Sequence, residues 1–159
     1  SHQFDIPHKI ADGGATRFDS VKKALTAIPE NEGLVAVHDG ARPLVRTTTI
    51  ASGFATAEST GSAVPVVPLT DSVRQIDGTD SHAVDRKTLV AVQTPQIFQI
   101  AMLKKAYAAA NSDSFTDDAS VVEAAGYKIA LYDGDAENIK ITHPADLKIA
   151  KWILTQRNV

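Results

Sequence analysis

The apolar positions of this sequence follow two periods, and the changes between them mark the expected helices and strands. Between Thr16 and Pro29 they recur at the i, i+3, i+4, i+7 spacing of an amphipathic helix. The continuous apolar run at 34–37 predicts a buried strand. An Ala-rich segment at 49–59 predicts a second helix, and 63–68 predicts a second strand whose prolines indicate an edge or irregular position. This alternation is typical of an α/β fold.

The segment 71–92 interrupts the alternation. Two short runs that mix apolar and polar residues, 72–76 and 83–86, flank the turn-rich stretch 77–81. That arrangement is the pattern of a β-hairpin. We therefore predict a hairpin arm that protrudes from the domain.

Helical patterns return at 100–110 and 117–125, a strand is expected at 128–132, and Pro144 suits the first position of a last helix. No internal repeat or linker divides the chain. We predict one α/β domain over residues 1–159, with three layers and a mainly parallel, Rossmann-like sheet.

Composition narrows the function classes. With 43% apolar and 22% charged residues among 159, the chain resembles an ordinary globular domain. A formal net charge of −3 disfavours a nucleic-acid partner. The absence of Cys excludes disulfides, thiolate metal sites and thiol catalysis. No apolar run of membrane-spanning length and no leader pattern are found, so we expect no membrane partner and a cytoplasmic location.

Several polar clusters follow predicted strands or turns. The segment 38–43 places Asp39, Gly40 and Arg42 directly after the strand at 34–37, which suits a hydroxyl-bearing, anionic ligand. The alternative is a local ion pair between Asp39 and Arg42 that shapes a turn. Lys140, between two isoleucines, would point opposite to them on a strand, and the alternative is a solvated lysine.

Two further clusters have structural alternatives. The Gly13-Gly14 turn can bring backbone N–H groups close to a phosphate or a base, or it can be an ordinary tight turn with Arg17 in solvent. Asp117 and Asp118 could bind a metal, but we favour a helix N-terminus there with the preceding threonine as cap.

Taken in order, these clusters resemble the 2-C-methyl-D-erythritol 4-phosphate cytidylyltransferases of the non-mevalonate isoprenoid pathway. The matching segments are 13–21, 37–43, 68–72, 84–86, 94–96, 116–118 and 138–142. They span nearly the whole chain, and their order makes the resemblance specific. The resemblance implies a nucleotide-diphospho-sugar transferase type of fold and transfer of a cytidylyl group from CTP to a polyol phosphate. It also implies Mg²⁺ held mainly by the nucleotide phosphates.

The resemblance also implies roles for individual residues. The catalytic residues would be Arg86 and Lys140, which position the attacking phosphate. The substrate-binding residues would be Asp39, Arg42, Ser72, Thr94 and Thr116, and the nucleotide-binding residues Gly14, Ser20 and Gly40. No residue is assigned as a metal ligand. The family is usually a homodimer, so the 71–92 arm would bring Ser72 and Arg86 to the neighbouring subunit's site.

The sequence departs from the family pattern in two ways. Ala15 stands where an acidic residue is common, and Gly40 and Ser72 stand where Ala and Thr are common. The family's opening strand, glycine-rich loop and catalytic Arg have no counterpart before Ile10. We therefore expect the chain by itself to be inactive. A ribitol 5-phosphate cytidylyltransferase and a non-catalytic dimerisation or ligand-binding module stay open as alternatives.

Overall fold

The computed structural model describes residues 6–110 and 115–157. The helices are α1 Arg17–Thr26, α2 Thr47–Thr60, α3 Ile100–Ala109, α4 Asp118–Ala124 and α5 Pro144–Arg157. The strands are β1 Leu34–Val37, β2 Ser62–Pro68, β3 Val73–Asp77, β4 Asp80–Val84, β5 Val90–Val92, β6 Gln96–Gln99 and β7 Leu131–Asp133. A 3-10 turn, Arg86–Thr88, separates β4 from β5. The predicted α/β alternation is confirmed, with most helix ends within two residues of the sequence prediction.

The main sheet is mixed rather than mainly parallel. Its five strands lie in the order β1-β6-β2-β5, with β7 on the other side of β2. β7 runs parallel to β2, whereas β6 and β5 run antiparallel to it and β6 also runs antiparallel to β1. The sequence prediction lacked β5 and β6, because runs of three and four residues are too short to show a period.

β2 lies in the centre of the sheet, not at an edge. Its first residues pair with β6 and its last residues with β5. Pro65 lies opposite the interruption at Gln93–Pro95, and its carbonyl oxygen accepts from the Gln93 N–H. The sheet therefore accommodates a residue without an N–H, because the neighbouring strand is broken at that point.

Side chains alternate across the sheet and build a layer on each face. Val64 and Phe98 pack with α1, α3 and α4, which form one layer. Ala63 and Ile97 pack with α2, which covers the other face. β1 is only half-buried and lies at the edge of the described sheet, so the expectation of a buried strand was wrong.

The range 71–92 contains a two-stranded antiparallel hairpin. β3 and β4 pair from Val73–Val84 to Asp77–Asp80, and Gly78 has the positive φ of 59° that such a tight turn favours. Most residues of both strands are exposed. None of the helices in the described ranges is long and apolar enough to cross a membrane.

Candidate functional site

A cavity of about 530 Å³ lies where β1 ends and β6 and β7 begin. The loops that follow β1 and β7 supply Asp39, Arg42 and Lys140, as expected for an α/β sheet, and α1 and α4 supply the other charged side chains. The polar residues that line it are Arg17, Asp39, Arg42, Gln93, Thr94, Gln96, Thr116, Asp117, Glu123 and Lys140.

The carboxylate of Asp39 is the centre of the charged cluster. Lys140 Nζ lies 3.1 Å from Oδ2, Arg42 Nε lies 3.6 Å from the same oxygen, and Arg17 Nε lies 3.6 Å from Oδ1. Only 15% of the Asp39 side chain is exposed. Burial alone would raise its pKa, but the hydrogen bond and charge of Lys140, with the charges of the two arginines, hold the pKa of Asp39 below its ordinary value.

Hydrogen bonds fix the backbone of this loop. The Thr94 hydroxyl accepts from the Asp39 N–H at 2.9 Å and lies 3.0 Å from Nδ1 of His38. Nε2 of His38 lies 3.0 Å from the carbonyl oxygen of Arg42. Every group is satisfied if the Thr94 hydroxyl donates to Nδ1 and Nε2–H donates to that carbonyl. Thr94 therefore positions the loop after β1, and in this arrangement its hydroxyl proton is donated to His38.

Lys140 reaches Asp39 from the loop after β7. Its neighbours Ile139 and Ile141 pack against the cluster of Leu44 and α5, so the Lys140 side chain turns to the opposite side. The Ile141 N–H donates to the Ala41 carbonyl at 2.8 Å. The predicted alternation is confirmed even though the segment is not a strand, and the lysine is ion-paired rather than simply solvated.

Arg42 joins the two loops. Its Nη1 donates to the carbonyl oxygen of Asn138 at 2.8 Å, while Asn138 Nδ2 donates to the Thr94 carbonyl at 2.8 Å. Asn138 is fully buried. Arg42 Nε is buried without a hydrogen-bond partner and points towards Asp39. The ion pair that the sequence offered as an alternative to a ligand site is thus present, and it forms part of the cavity wall.

Arg17 and Asp118 add a second ion pair, which the sequence prediction missed. Arg17 Nη2 lies 2.6 Å from Asp118 Oδ2, and the Tyr107 hydroxyl donates to Oδ1 at 2.7 Å. The Asp118 side chain is fully buried and that of Arg17 is 33% exposed. Burial disfavours the charge on Arg17, but the hydrogen bond and charge of Asp118 raise its pKa overall. The two residues are 101 positions apart, so local spacing could not pair them.

The α4 N-terminus is attached to the base of the cavity. Asp117, not Thr116, is the N-cap, and its side chain accepts from the Ser120 N–H. The buried Gln96 side chain donates to Asp117 at 2.8 Å and accepts from the Ala119 N–H at 2.8 Å. The predicted cap is therefore displaced by one residue, which leaves Thr116 exposed on the cavity surface.

A second pocket of about 310 Å³ lies on the other side of the charged cluster. Ser20 and Gly40 line it, and Arg17, Asp39 and Lys140 are common to both cavities. Gly14 lies beside this pocket, where its N–H donates to Ser20 Oγ at 2.9 Å. Ser20 and Gly40, two of the three residues predicted to bind the nucleotide, thus line this pocket. The third, Gly14, is hydrogen-bonded to Ser20.

Arg86 and Ser72 line neither cavity. Both are exposed at the foot of the hairpin, where the Arg86 guanidinium donates to the backbone carbonyl oxygen of Thr70. The structure therefore brings five of the seven predicted catalytic and substrate-binding residues to one cavity and leaves these two apart from it.

The charges of the cluster favour an anion. Arg17, Arg42 and Lys140 face the carboxylates of Asp39 and Asp118, which leaves one positive charge in excess around these five side chains, whereas Asp117 and Glu123 add two carboxylates to the rest of the cavity lining. The described residues contain no group of three or more His, Cys, Asp or Glu side chains that could hold a metal ion. The geometry suits an anionic ligand that also carries hydroxyl groups.

Comparison with known sequences gives a consistent result. The family model for 2-C-methyl-D-erythritol 4-phosphate cytidylyltransferase matches residues 3–156. A protein of that name from Phocaeicola vulgatus is 46% identical over 154 residues, which cover 97% of this chain and 70% of the relative. Another from Bacteroides fragilis is 47% identical over 153 residues, which cover 96% of this chain and 69% of the relative.

Solved structures agree. The 2-C-methyl-D-erythritol 4-phosphate cytidylyltransferase from Thermus thermophilus has a TM-score of 0.80 at 41% identity, covering 89% of this chain and 70% of that one. The protein of the same name from Francisella tularensis has a TM-score of 0.81 at 32% identity, covering 89% of this chain and 69% of that one.

Proposed function

The chain belongs to the 2-C-methyl-D-erythritol 4-phosphate cytidylyltransferase family, and we propose that its site serves the transfer of a cytidylyl group from CTP to that polyol phosphate, in isoprenoid precursor synthesis. An oxygen of the acceptor phosphate attacks the α-phosphorus of CTP. A new P–O bond forms there, the bond between the α-phosphorus and the bridging oxygen breaks, and pyrophosphate leaves. The site must reduce the repulsion between two anions and stabilise the leaving charge.

The observation that carries the proposal is the cationic cluster around Asp39. Lys140 is 48% exposed and can exchange the Asp39 carboxylate for a phosphate oxygen, whereas Arg42 is 12% exposed and held by the Asn138 carbonyl. Asp39 is ionised at neutral pH and can accept hydrogen bonds from the polyol hydroxyls. Thr116, exposed on the cavity surface, is a further predicted substrate contact.

The smaller pocket is the proposed place of the cytidine. It adjoins the acceptor cavity along a wall formed by Arg17, Asp39 and Lys140. A nucleotide in one cavity and a polyol phosphate in the other would meet at Lys140, which is where negative charge concentrates during transfer. Ser20 and Gly40 would lie beside the nucleotide.

Mg²⁺ fits this site as an ion carried by the nucleotide phosphates. Mg²⁺ commonly keeps several waters and binds through substrate phosphates with one or two carboxylates. That is consistent with described residues that offer no cluster of three acidic or imidazole ligands. When bound, the ion would withdraw charge from the phosphates, and we assign it no protein ligand.

A reaction between soluble metabolites is also the basis for proposing the cytoplasm as the location of this protein.

Arg86 and Ser72 are proposed to act in the site of a second subunit. The hairpin that precedes Arg86 pairs with no other strand of the described sheet, and Ile76 on it is 70% exposed. An exposed apolar residue on an isolated hairpin favours contact with another chain. Homodimerisation through the 71–92 arm would bring both residues to the partner's cavity.

Light scattering tests the arm. The wild-type chain is expected to be a dimer, and replacement of residues 74–83 by a short glycine linker is expected to give a folded monomer. The far-ultraviolet circular dichroism spectrum and the thermal unfolding midpoint serve as the control, because both should stay close to wild type if the rest of the domain is folded. A monomeric wild-type chain, or a dimer that survives the replacement, would contradict the proposal.

Pyrophosphate release tests the reaction. The chain is assayed with CTP, Mg²⁺ and 2-C-methyl-D-erythritol 4-phosphate, both alone and fused to the part of the Bacteroides fragilis relative that its match to this chain leaves uncovered. We expect turnover only in the fusion, because the family resemblance assigns the triphosphate-binding loop to such a segment. Ribitol 5-phosphate is the parallel substrate, and faster turnover with it would favour the ribitol alternative. No turnover of either substrate by the fusion would favour a binding module.

A further inference from the structure

Arg17 occupies a position that its helix does not favour. It is the first residue of α1, where the helix dipole places partial positive charge and prefers an acidic side chain. Thr16 caps the helix and Asp19 supplies the usual acidic residue of the first turn. A cation at this place is therefore not explained by helix formation. Departures from local preference of this kind concentrate at functional sites.

The guanidinium of Arg17 is held from behind by a buried anchor. Asp118 is fully buried, and its two oxygens are bonded to Arg17 Nη2 and to the Tyr107 hydroxyl. The Tyr107 ring stacks on Phe18 with centroids 4.8 Å apart, which fixes the hydroxyl. The anchor leaves Nε of Arg17 on the cavity side, 3.6 Å from Asp39.

This geometry bears on the availability of Lys140. Asp39 is shared among Arg17, Arg42 and Lys140, and Lys140 is the most exposed of the three cations. A carboxylate with fewer cationic neighbours attracts the remaining ones more strongly. Without Arg17, Lys140 would be held more firmly at Asp39 and would be less able to leave it for an incoming phosphate.

We propose that Arg17 is a positioning residue for the acceptor site: Asp118 and Tyr107 hold its guanidinium against Asp39, and its share of the Asp39 charge leaves Lys140 available to the acceptor phosphate. This inference rests on the proposed function, because it takes the acceptor to be a polyol phosphate. Arg17 is not among the residues that the family resemblance assigns to catalysis, substrate binding or nucleotide binding.

The test is equilibrium binding of 2-C-methyl-D-erythritol 4-phosphate to the whole chain by calorimetry. Substitution of Arg17 alone would leave Asp118 buried without its cation, so the test variant is Arg17→Gln with Asp118→Asn, which removes both charges. We expect its Kd to rise about three- to five-fold, the upper part of the range that loss of a partly exposed ion pair produces. Arg17→Lys retains the charge and should bind within about two-fold of wild type by the same reasoning.

A second readout separates positioning from simple structural damage. In the folded double variant, the carboxyl carbon of Asp39 should titrate at a higher pH in the NMR spectrum than in the wild-type chain, because one of its three cations is gone. Lys105→Gln, which removes one exposed charge that lines neither cavity, should change neither the Kd nor this titration.

The outcomes are distinguishable. A folded double variant with wild-type Kd and unchanged Asp39 titration overturns the role of Arg17 while leaving the proposed function intact. An equal loss of binding in Arg17→Lys would also contradict charge sharing. If the double variant does not fold, Asp118→Asn alone releases the anchor and must weaken binding in the same direction. A wild-type chain that binds no polyol phosphate would instead refute the proposed function, and this inference with it.

Discussion

The cavity wall and the hairpin differ in how they hold their charged residues. Asp39 lies in the wall, 15% exposed, with three cationic side chains within 3.6 Å. Arg86 lies at the foot of the hairpin, exposed, with its guanidinium bonded to the Thr70 carbonyl. The wall is assembled from distant segments whose side chains fix one another. The hairpin is held by its own backbone hydrogen bonds, and most of its residues are exposed.

A single chain is therefore sufficient to organise the wall but not the hairpin residues. The residues of the wall are oriented by hydrogen bonds among themselves, such as those from Thr94 to the loop after β1 and from Asn138 to Thr94. Groups held in place by bonds within the protein are what electrostatic stabilisation of a transition state requires. The hairpin residues have no comparable support within the described chain, so we expect a partner subunit to supply it.

The largest expected effect is the loss of activity when one residue of either region, Lys140 in the wall or Arg86 at the hairpin, is replaced. Lys140→Ala and Arg86→Ala, each in the active fusion, should separately lower kcat/KM by at least about a hundred-fold, as loss of a group that stabilises phosphoryl charge commonly does. If Arg86 acts across subunits, mixed dimers of the two variants regain one intact site. Mixing after reversible unfolding should then restore about a quarter of the wild-type activity, by random pairing in a two-fold dimer.

The control for that mixing experiment is a mixture of two other single variants, Lys140→Ala and Asp39→Asn. Both residues lie in the cavity wall of one chain, 3.1 Å apart. Every site of a mixed dimer therefore lacks one of them, and no activity should return. Recovery in this pair, or none in the pair with Arg86→Ala, would remove the distinction between wall and hairpin.

The next effect distinguishes Gly14 and Gly40, which lie at the smaller pocket, the proposed place of the cytidine. A Cβ at Gly14 would lie 2.1 Å from the Asp19 Cβ and 2.8 Å from the Ser20 backbone nitrogen, so α1 would have to move. Gly40→Ala would meet nothing within 4 Å. We expect Gly14→Ala to destabilise by about 1–3 kcal/mol and to weaken nucleotide binding, as overpacking does. Urea unfolding should show little change for Gly40→Ala, and equal effects would contradict the close contact.

The polar clusters of the site were predictable where one short segment carries the chemistry. Asp39 and Arg42 follow a strand and face the same cavity, and the isoleucines beside Lys140 indicated which way it points. Arg17 and Asp118 were not predictable as a pair, because their contact depends on the packing of α1 against α3 and α4 across 101 positions. A family motif identifies the segments of a site but does not state which of their residues meet.

The fold shows the same limit. Amphipathic helices such as α1 have enough residues to show a period, and the structure confirms them. β5 and β6 have three and four residues, and their direction depends on pairing with β2 rather than on their own composition. A mainly parallel sheet was therefore the wrong expectation from an otherwise correct α/β alternation, because β5 and β6 both run antiparallel to β2, on either side of the interruption at Gln93–Pro95.

Two tyrosines distinguish the wall from the opposite face of the sheet. The Tyr107 hydroxyl bonds the buried carboxylate of Asp118, whereas the Tyr132 hydroxyl is buried without a hydrogen-bond partner. We expect Tyr107→Phe to destabilise by about 1–2 kcal/mol, because it leaves a buried carboxylate oxygen unpaired. Tyr132→Phe should cost nothing or stabilise slightly, since it removes an unsatisfied polar atom. Thermal unfolding of the two variants in parallel measures the difference, and a reversed order would contradict the anchoring of Asp118.

The smallest expected effect is the dependence of stability on acid. The cations around Asp39 hold its folded pKa below the ordinary value of 3.8, so the unfolded chain binds the proton more readily. Its contribution to the free energy of unfolding is then fully present above that value and is lost as the pH falls through the folded pKa. Asp39→Asn should therefore differ from wild type more near neutral pH than at about pH 3 in urea unfolding. Asp77→Asn, on the exposed hairpin, should change stability little at either pH. A difference for Asp39→Asn that is constant with pH would mean that the three cations of the wall do not favour the ionised carboxylate, and it would remove the electrostatic distinction between the wall and the hairpin.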